Sequence, residues 1–189
     1  MECIDATNLL LMLRPGTLVP SGPNGVQIEK PKERIEFLVS RLDKAKTKII
    51  IPTPALSEIL VKAGQAASQK IIETLQKYSV FRIEPFDTRA AIEVAAMTRK
   101  ALESTNKRGD SAATWAKVKY DRQIVAIARV CGADTIYSDD AGIAAFAKGI
   151  NMKVVKLADL PLPPQDAQID MFASLESFHA QKEKTENRE

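Results

Sequence analysis

The chain has 189 residues, with 27 basic and 24 acidic side chains, a net charge of +3 and 45% hydrophobic residues. That balance excludes a largely disordered chain and fits one globular domain large enough for a core of its own. Two distant cysteines, Cys3 and Cys131, and a single histidine, His179, exclude a disulfide framework, a Cys-x-x-Cys zinc pair and a histidine-based triad.

A short apolar start ending at Ile4-Asp5 reads as a first strand, followed by a helix over 7–13. Residues 15–31 hold four prolines and three glycines and read as a loop or insertion rather than a packed element. Ile35, Leu38, Leu42 and Ala45 recur on one face of a helix beginning at Pro31. The β-branched run at 48–51 reads as a buried strand stopped by Pro52. Thr53 is the expected cap of the next helix, with Pro54 in its first position. Helical character continues over 65–78, a short strand follows at 80–83, and Asp87-Thr88 caps a helix to about Leu102. After a polar break at 106–110, a helix is expected over 120–131, ended at Gly132. A strand at 135–137, a helix at 140–148 and a strand at 153–155 complete the pattern. Alternation of strands and helices predicts an α/β fold, a central parallel sheet with helices on both faces. Leu160 to Pro164 marks the end of the domain, giving a domain over 1–160 and a tail over 161–189. The apolar runs are too short to span a membrane, and no basic region precedes an apolar stretch at the N-terminus, so a reducing cytoplasm is the expected location.

In open parallel sheets, ligands sit beyond the carboxyl ends of the strands. Asp5 follows the first strand there, and Asp139 and Asp140 follow the strand at 135–137. Glu58 lies in the first two turns of the helix after the strand at 48–51, and Asp121 in the first turn of the helix expected over 120–131. Acids converging on one pocket repel one another unless a cation joins them. Oxygen ligands without His or Cys suit Mg²⁺ or Mn²⁺, which can activate water and stabilise a phosphoryl group in an in-line displacement. Each acid also has a plain structural reading: Asp5, Asp139 or Asp140 as helix caps, and Glu58 and Asp121 as solvated helix acids.

Four segments, Ile4-Asp5-Ala-Thr7-Asn8-Leu, Pro54-Ala-Leu-Ser-Glu58-Ile, Asp121-Arg-Gln-Ile-Val-Ala126-Ile-Ala and Thr135-Ile-Tyr-Ser-Asp139-Asp140, resemble in order and spacing the PIN-domain nucleases. The resemblance covers about residues 1–157. It implies a Rossmann-like PIN fold and Mg²⁺- or Mn²⁺-dependent cleavage of phosphodiester bonds, often in RNA. By the same resemblance Asp5, Glu58, Asp121 and Asp139 are the metal-binding and catalytic acids and Asp140 a fifth. Thr7 takes the place of the small polar residue that helps hold Asp5, and Ser138 supports the site. Many bacterial members are toxins neutralised by a small antitoxin protein. The insertion at 15–31 and the tail depart from the compact toxins. A catalytically inactive PIN-like binding or scaffold module is the alternative. A phosphatase with an aspartyl nucleophile is disfavoured, because it wants a second acid at position 7, where Thr stands.

From Arg99 to Arg122 there are seven basic residues against three acidic. Lys117, Lys119 and Arg122 are the candidates for phosphate contact, against the plain reading of a solvated helix face. Trp115 reads as a partly buried helix anchor before a base-stacking ring. In the tail, Gln168-Ile-Asp-Met-Phe172 resembles the peptide by which bacterial proteins dock on the DNA-polymerase sliding clamp. The competing reading is an amphipathic helix carrying Ile169, Phe172, Leu175 and Phe178, packed on the core or on a second subunit of a homodimer.

Overall fold

The computed structural model describes residues 1–14, 16–103 and 113–164. The polar break at 106–110, the tail and the clamp-like peptide lie outside these residues. Five strands, β1 (Glu2–Ile4), β2 (Ile49–Pro52), β3 (Phe81–Glu84), β4 (Thr135–Tyr137) and β5 (Lys153–Val155), form one parallel sheet in the order β3-β2-β1-β4-β5. The chain builds outward from β1 to β3 on one side, then crosses back and adds β4 and β5 on the other. The strand order therefore reverses between β1 and β4, the switch point where α/β sheets open a crevice.

Helices α1 (Ala6–Leu13), α2 (Pro31–Lys44), α3 (Thr53–Ala63), α4 (Gln65–Lys77), α5 (Thr88–Glu103), α6 (Trp115–Val130) and α7 (Ala141–Lys148) accompany the sheet. The β-branched centre, Ile49, Ile50 and Ile51, is fully buried, as expected for a strand covered on both faces. Leu9 and Leu10 of α1, Ile35, Leu38 and Val39 of α2, Ile59 of α3 and Val125 and Ile127 of α6 complete the core around it.

Four local expectations are corrected. Pro52, not Thr53, is the cap of α3, and the Thr53 hydroxyl instead accepts the Phe86 N–H at 3.1 Å, tying α3 to the end of β3. The helical stretch after β2 is two helices, because Gly64 adopts φ +81°, where an L side chain would be strained. Helix α6 starts at Trp115, with Thr114 as its cap accepting the Lys117 N–H, five residues before the expected start. The segment after α1 is not wholly unpacked: Ser21 pairs with Gln27 in an antiparallel bridge and Ile28 is buried. At the other end of α6, Gly132 adopts φ +72° and turns the chain into β4.

Candidate active site

The register of β1 and β4 builds the centre of the site. Ile4 lies opposite Tyr137, so the next residues, Asp5 and Ser138, emerge side by side at the carboxyl edge. The Asp5 N–H extends the ladder by donating to Tyr137 O at 3.1 Å. Both side chains are buried, and the Ser138 hydroxyl donates to Asp5 Oδ2. Asp5 is also the cap of α1, its Oδ1 accepting the Asn8 N–H at 3.0 Å. The plain capping reading and the site reading therefore describe the same carboxylate. Burial raises the Asp5 carboxyl to about 6 from an ordinary 3.8; Ser138 and Asn8 pull against this, and the charges of Asp139 and Asp140 add to it.

Asp140 caps α7, accepting the N–H groups of Gly142 at 2.7 Å and Ile143 at 3.2 Å. Asp121, one of the few buried acids, approaches the same helix end. This approach depends on Gly142: a Cβ there would stand 2.3 Å from Asp121 Oδ2 and 3.0 Å from Asp140 Oδ1. Burial raises the Asp121 carboxyl, repulsion from Asp140 adds to it, Lys117 opposes it, and Glu58 also repels it. Lys117 Nζ lies between the two aspartates, 2.6 Å from Asp140 Oδ2 and 3.2 Å from Asp121 Oδ1. Burial pushes Asp140 up, but the Lys117 ammonium and the two helix N–H groups outweigh it and leave the carboxyl below its ordinary value.

Asp139 turns from this centre toward β5, where both of its oxygens lie 3.2–3.3 Å from the Leu157 N–H. Burial raises its carboxyl, with the Leu157 N–H and Lys156 opposing. The Asn8 amide, fully buried on α1, also favours the ionised form of Asp139. Glu58 is exposed on α3 and pairs with Lys62 at 2.6 Å. Thr7 lines a cleft of about 470 Å³ together with Arg14, Thr17, Leu18 and Lys62. The hydrogen bonds to Asp5 among the described residues come instead from Ser138 and Asn8.

The structure thus draws Asp5, Asp121, Asp140 and Ser138 to one edge, with Asp139 facing its flank and Glu58 at its rim. Among the described residues no three His, Cys, Asp or Glu side chains form a ready-made metal centre. The donor chemistry, carboxylate oxygens alone, fits a hard divalent cation. The space left by Gly142 keeps Asp121 within reach of the helix end, and an ammonium already stands where two carboxylates need positive charge.

Two residues of this arrangement, Lys117 and Gly142, take their roles from partners distant in sequence. Lys117 stands four residues before Asp121, a spacing that places both on one helix face, but its second partner comes from α7. Gly142 carries no motif signal, and only its closeness to Asp121 gives it a role. Arg122 needs correction as a phosphate contact. It is 1% exposed, its guanidinium stacking 4.9 Å from the Phe146 ring and 5.6 Å from Trp115 and donating to Thr98 Oγ1 at 3.2 Å. Lys119 remains exposed, with Nζ 5.4 Å from the Trp115 ring, and Trp115 itself is the half-buried anchor expected.

Among solved structures, the chain is similar to one from the DNA-bound VapBC complex of Salmonella typhimurium, with a TM-score of 0.52 and 13% identity over 82% of this chain and 96% of that one. It is also similar to Mycobacterium tuberculosis VapC20, described as a sarcin-ricin loop cleaving toxin, with a TM-score of 0.48 and 14% identity over 77% and 94%. No family model matches the sequence, and the search of curated proteins found no match. The fold is the α/β PIN fold expected from the sequence motifs. No helix among the described residues is long and apolar enough to cross a membrane.

Proposed function

We propose that this chain is a divalent-metal-dependent endonuclease acting on RNA, the toxin of a toxin–antitoxin pair. The observation that carries this reading is the buried Asp5 carboxylate at the switch point of the sheet, oriented by Ser138 and close enough to Asp139 and Asp140, the acids that follow β4, to feel their charge. The similarity to a chain of a VapBC complex supports an antitoxin as partner and nucleic acid as the ligand.

Asp5, Asp121 and Asp140, with Asp139 and Glu58 beside them, would hold the ion. When bound, Mg²⁺ or Mn²⁺ supplies Lewis acidity and offsets the charge of the scissile phosphate. Ser138 fixes the orientation of the Asp5 carboxylate by donating to one oxygen and leaving the other on the Asn8 N–H. Lys119, exposed on α6, would meet phosphates of the bound strand, and its exposure supports that role.

A second reading, a nucleic-acid-binding or scaffold module that does not cut, is favoured by one observation: Lys117 already bridges Asp121 and Asp140. Cleavage of labelled RNA by the full chain in Mn²⁺ separates the two. The nuclease reading expects cleavage that EDTA abolishes and that Asp5→Asn, Glu58→Gln, Asp121→Asn and Asp139→Asn each reduce at least a hundredfold, with circular dichroism unchanged. Cleavage that persists in EDTA, or in Asp5→Asn, would overturn it.

A further inference from the structure

We infer that Lys117 is an internal counter-ion of the acid site, an ammonium that a divalent cation must displace before the centre can form. The inference rests on the metal-dependent reading above and goes beyond it by giving this residue a role in loading. Lys117 Nζ touches carboxylates from two different helices, Asp121 of its own α6 and Asp140 at the start of α7. Asp121 is buried, Asp140 is partly covered, and Gly142 offers no side chain to separate them. Two carboxylates so placed repel one another. One monovalent ammonium offsets half of their charge, whereas a divalent ion offsets all of it. Lys117 is itself 46% exposed, so its side chain has an open route to solvent once its partners are taken. The long flexible stem and compact head of lysine suit a group that leaves and returns, unlike the planar fork of arginine.

The exchange has a defined balance: one ammonium leaves the carboxylates and one divalent cation enters, with no covalent change. The freed ammonium then stands at the edge of the site, where an incoming phosphate supplies its next partner. The device therefore sets a threshold of metal concentration, below which the acids stay closed on their own lysine.

The test is Mn²⁺ binding to the full chain, measured by calorimetry and by electron paramagnetic resonance, compared with Lys117→Met. This substitution keeps most of the aliphatic stem and removes the charge. The variant is expected to bind Mn²⁺ roughly tenfold more tightly or better. In EDTA its melting temperature should fall below that of the parent, and Mn²⁺ should raise it by more than it raises the parent's. Equal affinities would overturn the inference and leave the metal reading intact, as would weaker binding by the variant. A melting deficit of the same size in EDTA and in Mn²⁺ would assign Lys117 a purely structural role. Absence of Mn²⁺ binding in both proteins would remove the metal reading and the inference with it. A second measurement needs no variant: acetylation of Lys117 in the parent protein, followed by mass spectrometry, should accelerate selectively when Mn²⁺ is added. Unchanged labelling would also overturn the displacement.

Discussion

The hydroxyl of Ser138 joins the ends of two neighbouring strands: it donates to Asp5 Oδ2, and its oxygen accepts the Asp140 N–H at 3.0 Å. One small side chain thus sets both the first acid of the site and the backbone that carries the next. Ser138→Ala leaves a buried carboxylate without one donor and a backbone N–H without its acceptor. Stability should fall by about 1–3 kcal/mol, and the Asp5 carboxyl should rise above its value of about 6. Urea denaturation and carboxyl-detected NMR titration measure the two effects, and an unaltered Asp5 titration would show that this bond does not govern its ionisation.

Asp5 also predicts a pH profile. Burial chiefly raises its carboxyl to about 6 in the folded chain, against 3.8 when unfolded. Between these values the folded state holds the proton that the unfolded state has released. Stability in EDTA should therefore fall as pH rises from about 4 to about 6, by on the order of 3 kcal/mol from this group, and level off above. The Asp121 and Asp139 carboxyls are raised as well and add to the fall. Asp5→Asn keeps the shape and removes the Asp5 part, so its profile should be flatter than the parent's. Parallel profiles from denaturation at several pH values would place the raised ionisation elsewhere.

Gly142→Ala tests the close approach of α6 to α7. In an ordinary helix this change favours the folded state by about 1 kcal/mol. Here the added Cβ meets Asp121 Oδ2 at 2.3 Å, and the carboxylate is buried with little room to retreat. The expected result is the opposite sign, a loss of about 1–3 kcal/mol, read from the melting curve. A stabilised variant would mean that Asp121 moves aside freely.

Arg122 and Lys119 lie three residues apart on α6 and should behave differently. Arg122→Ala removes a buried cation stacked on Phe146 and Trp115 and should cost about 2 kcal/mol or more. Lys119→Ala, at an exposed site, should change stability by no more than about 0.5 kcal/mol. If Lys119 meets phosphate, its replacement should lower the slope of log affinity against log salt for single-stranded RNA by about 0.7. Equal salt slopes for parent and variant would return Lys119 to the solvated face.

Much of the fold was legible in local pattern. The strands at Thr135–Tyr137 and Lys153–Val155 lie where β-branched residues recur, and the buried face of α2 follows its apolar spacing through Ile35, Leu38 and Leu42, whereas Ala45 lies past the helix end and is exposed. Asp5, Asp139 and Asp140 were recognisable as candidates because each ends an apolar strand, and in a parallel sheet those ends share one edge. Such readings succeed where the cause lies within a few residues: a side chain's face follows the period of its own element, and an abrupt turn follows from glycine or proline.

What lay beyond the sequence depended on which elements become neighbours. The early start of α6 is anchored by Trp115, whose ring packs beside Arg122 about two turns on. The burial of Arg122 needs Phe146 from α7, and the bridge made by Lys117 needs Asp140 from the start of that helix. The turn of Asp139 toward Leu157 needs β5 beside β4. A basic residue on a helix has the same local pattern whether it faces solvent, an aromatic ring or a carboxylate. Only the strand order, by setting α6 against α7 at the switch point, decides which partner meets it, because Coulomb attraction and ring contacts act over a few ångströms of space without regard to separation along the chain.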